Sequence, residues 1–141
     1  MSASLRSSRT NAVLWVAQGL LAVLFGFAGG VKLAMPYAAL DGQAGLPGWF
    51  YRFIAVAELA GALGLILPGA LRIRPRLTAW AGAGLVVIMS GATALTALGG
   101  KVAPALFPAV VGLVAALVAA GRWSWSPSAA RGRAGSHPAA I

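Results

Sequence analysis

The chain contains no cysteine, which excludes disulfides, thiol catalysis, iron–sulfur clusters and thiolate zinc sites within it. Histidine occurs once, as His137 near the C-terminal end. Haem held by two histidines of this chain is therefore excluded, and no metal site is expected. Acids are nearly absent: Asp41 and Glu58 stand against eleven Lys and Arg, for a formal net charge of +9 over 141 residues. Charged residues make up 9% of the chain, where a soluble domain carries about 25%. So few charges cannot cover a water-facing surface. With 60% hydrophobic residues and a length that allows one domain, the surface must face lipid.

The basic excess does not read as a nucleic-acid surface. Lys and Arg fall in short clusters between apolar runs and form no basic face. In a membrane protein such clusters mark cytoplasmic loops and meet anionic lipid headgroups.

A spanning helix needs about 20 mostly apolar residues. Four runs qualify, at about 12–33, 50–67, 77–98 and 105–120, and together they predict an all-α membrane four-helix bundle over 12–122. Proline and glycine punctuate the gaps at Met35-Pro36, Leu46-Pro47-Gly48, Pro68-Gly69, Pro75 and Gly99-Gly100. Pro104 and Pro108 fall in the first turns of the last span, where missing N–H groups cost least. The first apolar run exceeds the roughly 7–15 residues of a signal-peptide core, so it is expected to remain as a span.

Positive charge orients the spans. Arg6 and Arg9 precede the first; Arg72, Arg74 and Arg76 separate the second and third; Arg122, Arg131 and Arg133 follow the fourth. Four crossings put all of these on one side and Asp41 and Lys101 on the other. Both termini are thus expected to be cytoplasmic, with 1–11 as an N-terminal segment and 123–141 as a disordered basic tail. Trp15, Trp80, Trp123 and Trp125 are expected at the inner headgroup level, and Tyr37, Trp49 and Tyr51 at the outer one.

Helices in a bilayer associate through close packing and polar contacts. Small residues four apart occur at Ala22, Gly26 and Gly30, at Ala57 and Gly61, at Ala60 and Gly64, and at Gly112, Ala116 and Ala120. They serve packing within one bundle or the face of a homodimer.

Polar side chains at membrane depth are few: Gln18, Lys32, Arg52, Glu58, Ser90, Thr93 and Thr96. Ionisable groups there are costly and usually face the bundle interior. Glu58 lies eight residues after Phe50, about 12 Å along a helix and so near the midplane. Lys32 shares a line on the first span with Gln18, Ala22, Phe25 and Gly29. It either reaches inward to Glu58 or extends outward to the headgroups. Arg52 is about 120° from Glu58 around its helix, placed as an interfacial anchor or a site residue. Thr93 and Thr96 share a face, and their hydroxyls are free for a ligand or back-bond to the preceding turn. These residues sketch a polar site toward the outer leaflet, lined by Lys32, Glu58, Arg52, Gln18 and Thr96. A buried ion pair fixing helix register, a ligand or proton site, and a subunit contact at Glu58 are the readings open to it.

Trp15-Val16-Ala17-Gln18-Gly19-Leu20-Leu21 opens the first span, and Gly29-Gly30-Val31-Lys32-Leu33 closes it. Phe53-Ile54-Ala55-Val56-Ala57-Glu58-Leu59-Ala60-Gly61 begins the main part of the second, and Gly121-Arg122 ends the fourth. With these motifs the chain resembles the DoxX-like family of small bacterial membrane proteins over about residues 12–122. The resemblance implies four membrane helices in the bacterial cell (inner) membrane and a link to membrane redox complexes. The family takes its name from a subunit linked to a thiosulfate:quinone oxidoreductase. Lys32 and Glu58 match its motif positions, whereas Thr96 stands where relatives often carry a histidine.

Three functions follow as expectations. The first is a redox-associated subunit that binds a quinone or another lipophilic molecule and relies on an oxidoreductase partner, since the chain has no thiol or metal redox site. The second is a non-catalytic anchor, assembly module or chaperone. The third, a small proton-coupled transporter, fits less well: such exporters usually carry their glutamate in the first span.

Overall fold

A computed structural model describes residues 2–42, 45–74 and 76–124, with side chains from Ser8 onward. The proposed tail beyond Ser124, with Trp125, lies outside the described residues, as does Pro75. The chain is all-helical over the described residues: α1 (Ser2–Ala34), a short α2 (Tyr37–Leu40), α3 (Gly48–Ala70), α4 (Arg76–Leu98) and α5 (Val102–Ser124). Four helices are long and apolar enough to cross a membrane, at Ser8–Ala34, Gly48–Ala70, Arg76–Leu98 and Val102–Ser124. At 1.5 Å per residue, a 23-residue helix is about 35 Å long and clears a hydrocarbon core of about 30 Å. The α-helix of the first span starts well before the apolar run, because Ser2–Thr10 offers no proline or glycine to stop it.

The long helices alternate in direction around a ring ordered α1, α3, α4, α5. The α4–α5 hairpin packs most extensively, then α1 on α3, then α3 on α4, while α1 and α5 meet least. Two ends result. Arg9, Arg72, Arg74, Arg76 and Arg122 share one, called here the basic end. Lys32, Asp41 and Lys101 lie toward the other, the far end.

Inside the ring, Leu21, Phe25, Leu65, Leu85, Ala115 and Val118 are buried. Outside it, Leu20, Val23, Phe27, Phe53, Leu113 and Leu117 are exposed. No apolar surface of that extent survives in water, and lipid is its solvent. Glycines set the closest approaches. A Cβ on Gly61 would lie 2.6 Å from the Leu85 side chain, and one on Gly64 2.7 Å from Ala81. Gly112 faces Met89, whereas Gly26 and Gly30 have open space in front of them.

The helix ends show two versions of one cap. After α4, Lys101 N bonds Thr96 O and Gly100 N bonds Ala97 O, with Gly100 at φ +79°. After α3, Ile73 N bonds Pro68 O and Arg72 N bonds Gly69 O, with Arg72 at φ 54°. Both close orphan carbonyls in the same pattern. Glycine takes the left-handed position freely, while arginine takes it against the clash of its Cβ.

Candidate functional site: two polar clusters at opposite ends

The far-half cluster joins α1 to α3. Lys32 Nζ donates to both oxygens of Glu58 at 2.7 Å. The carboxylate is almost completely buried, while the Lys32 side chain keeps 28% of its surface exposed. The helices come this close because Gly29 has no side chain: a Cβ there would sit 2.8 Å from Ala55 O and 3.4 Å from Glu58 Cβ. Lys32 therefore reaches inward, the first of the two arrangements open to it.

Arg52 adds a second cation on α3 at the C-terminal end of α1. Its Nη1 and Nη2 donate to Leu33 O and Met35 O at 2.8 Å, closing carbonyls at the C-terminal end of α1, where a helix carries partial negative charge. Arg52 Nε is buried without a hydrogen-bond partner among the described residues. Asp41 Oδ1 accepts from Gly48 N at 2.8 Å, meeting the positive end of α3 with a carboxylate.

Thr96 and Gln18 go elsewhere. Thr96 Oγ1 donates to Ala92 O at 2.7 Å, and Thr93 and Ser90 back-bond to Met89 O and Val86 O in the same way. Gln18 is fourteen residues from Lys32, about 21 Å along α1.

Gln18 instead organises the basic-end cluster. It is fully buried; its Nε2 donates to Leu65 O on α3, and its Oε1 accepts from Arg122 Nε on α5. Arg122 Nη1 donates to Asn11 Oδ1 at 3.0 Å, and the guanidinium lies 5.3 Å from the centre of the Trp15 ring. Trp15 in turn covers Gly69, whose missing Cβ would fall 2.7 Å from the indole. Three helices thus meet on one amide. Arg122 Nη2 is buried with no hydrogen-bond partner among the described residues.

Arg122 and Asn11 were not among the candidates from sequence, although a signal was present. Arg122 is in phase with the buried stripe Val111, Ala115 and Val118 of α5, and Asn11 with Leu14, Gln18, Leu21 and Phe25 of α1. A charged residue in step with a buried stripe is either paired or costly.

Comparison with protein families decides the relationship. A family model for the DoxX-like family matches residues 16–118. The chain belongs to the DoxX-like family. Neither a curated protein nor a solved structure gives a significant match to it. The matched region of this DoxX-like protein contains Lys32, Arg52, Glu58, Gln18 and Thr96, while Asn11, Trp15 and Arg122 fall outside it. Family and helices together make it a multi-pass membrane protein in contact with the bilayer.

Proposed function

We propose that this DoxX-like protein is a membrane subunit that binds a quinone or a similar lipophilic carbonyl compound beside Lys32 and Arg52. The observation that carries the reading is a set of unspent donors. The Lys32 ammonium has three N–H groups and directs two bonds at Glu58, while its side chain stays partly exposed. Arg52 Nε, on the helix turn facing the end of α1, is buried without a partner among the described residues. A quinone offers carbonyl acceptors on an apolar ring and a tail that stays in lipid. Glu58 would hold Lys32 in place as its counter-charge. Electrons would pass through an oxidoreductase partner, and both chain ends would face the cytoplasm of a bacterial inner membrane, following the arginine bias.

Thermal unfolding of the detergent-purified full chain tests this, with and without a short-tailed ubiquinone analogue. A rise in melting temperature for wild type that is absent in Lys32→Met supports the site. No rise at saturating quinone overturns it.

The second reading is a non-catalytic anchor or assembly module. It draws support from the bidentate closure of Lys32 on one carboxylate, a geometry that serves helix register by itself. On this reading Lys32→Met/Glu58→Leu keeps its partner protein through purification; loss of the partner only in that variant overturns it.

A further inference from the structure

Among the described residues, positive φ falls on three glycines, Gly42, Gly45 and Gly100, and on two other residues, Arg72 and Arg74, at φ 54° and 29°. Arginine lacks the short side chain that lets asparagine or aspartate ease into this region. Strained backbone of this kind persists where something else requires it, and it collects at binding sites. The end of α4 closes the same cap with Gly100. The cap after α3 therefore needs no side chain at position 72, and what keeps arginine there is what its guanidinium meets.

Arg72, Arg74 and Arg76 fall within five consecutive residues, so the chain itself keeps their Cα atoms within about 14 Å, and all three are exposed. The Arg76 guanidinium lies 5.7 Å from the centre of the Trp123 ring, and Trp80 meets the same indole edge-on at 6.0 Å. Leu71 and Ile73 alternate with the arginines and are exposed, as are Leu77, Trp80 and Trp123. The turn joins two spanning helices, Gly48–Ala70 and Arg76–Leu98, and a link this short holds it at the bilayer surface. Three cations among exposed leucine, isoleucine and tryptophan suit surroundings that are apolar and anionic at once. The only acidic side chains of the chain are Asp41 and Glu58, bonded toward the far end to Gly48 N and Lys32. Neither answers the arginines of this turn.

We propose that the α3–α4 turn binds the headgroup phosphate of an anionic phospholipid through Arg72, Arg74 and Arg76, and that Arg72 occupies a glycine's position for that purpose at the expense of stability. A soluble acidic partner answers the charge but not the exposed Leu71, Ile73 and Trp80. A lipid answers both, with phosphate oxygens for the guanidinium forks and acyl chains beside the apolar side chains. Residues 125–141 add Arg131 and Arg133 and no acidic side chain, so they do not supply the missing charge. Phosphatidylglycerol, with one negative charge, is the simplest lipid that fits. The turn stands at the end of the bundle opposite Lys32, and the proposal does not depend on the quinone reading.

Two measurements on the detergent-purified full chain test the proposal: lipid retention by native mass spectrometry, with dioleoyl phosphatidylglycerol or dioleoyl phosphatidylcholine at equal excess, and the SDS-denaturation midpoint without added lipid. Wild type is expected to prefer phosphatidylglycerol. Arg72→Gly should lower that preference about fivefold, the effect of one cation at a membrane surface. The same variant should raise the midpoint, because glycine takes the left-handed position freely. Arg74→Gln, at an exposed position, should also lower the preference about fivefold. Lys101→Gln removes one cation at the opposite end and should leave it unchanged. Equal retention of the two lipids by wild type overturns the proposal, as does a preference that survives in Arg72→Gly and Arg74→Gln or falls as far in Lys101→Gln. A midpoint that drops in Arg72→Gly with the preference intact also overturns it, leaving Arg72 a merely structural residue. An acidic protein that co-purifies with wild type and is lost from Arg72→Gly, with both lipids retained equally, overturns it in favour of a protein partner.

Discussion

The two polar clusters answer one problem in opposite ways. Each must hold a cation among apolar helices, where an unpaired charge is expensive. In the far half, Lys32 meets Glu58, and charge is cancelled by charge. At the basic end, Arg122 meets Gln18, Asn11 and the Trp15 face, so Nε and Nη1 find acceptors while Nη2 has none among the described residues and the charge remains. The first solution suits a depth where no counterion arrives. The second lies in the last turn of α5, near the helix terminus rather than its centre. Hydrogen bonding and charge neutralisation are thus separate requirements, and depth in the membrane decides whether the protein must meet both.

Breaking each cluster should expose that difference. The largest effect is expected from Lys32→Ala, which strands Glu58 as a buried carboxylate. Removing one partner of a buried pair costs about 3–5 kcal/mol, readable as a shift in an SDS-denaturation midpoint. The double variant Lys32→Met/Glu58→Leu should recover most of that loss, since the charge and its partner leave together. If the double variant is as unstable as the single one, packing rather than charge holds this junction.

Gly29→Ala comes next. The added Cβ meets the Ala55 backbone oxygen, which cannot rotate away, and overpacking of this kind costs about 1–3 kcal/mol. A midpoint equal to wild type would show that α1 and α3 slide apart without loss.

At the basic end, Gln18→Leu leaves Arg122 Nε without its acceptor. The expected loss is about 2 kcal/mol, in the range for a hydrogen bond to a charged group. A denaturation midpoint equal to wild type would show that Arg122 Nε finds another acceptor. The smallest effect belongs to Thr96→Val. Its hydroxyl bonds only the preceding turn in the geometry described, so stability should change by less than about 0.5 kcal/mol, and the quinone response should stay unchanged.

Parts of this arrangement were legible before any coordinates. Glu58 stands alone among apolar residues, and Lys32 is the cation placed either to answer it or to turn outward to the headgroups; the 2.7 Å contacts select the inward arrangement. The grouping of Gln18 with Lys32 rested on their common helix face, and face alone ignores the roughly 21 Å of rise between them. Arg52 was placed as an anchor or a site residue. In the fold it closes the carbonyl end of α1, a role that depends on where the chain turns after Met35.

What the sequence determined by itself is solvent and span number. Two acids, long apolar runs and arginines in alternate gaps leave only helices whose backbone polar groups are satisfied internally. Only the tertiary structure decided that α1 packs on α3 rather than on α5, and hence that one seam stays open as a groove. It also decided that Gln18, Leu65 and Arg122 meet, although 104 residues separate Gln18 from Arg122. The reason is physical. Among lipid tails no hydrophobic force ranks one helix neighbour above another, so the order of the ring rests on close steric fit and single polar contacts. Those act at a range of a few ångströms and leave little trace in composition or spacing.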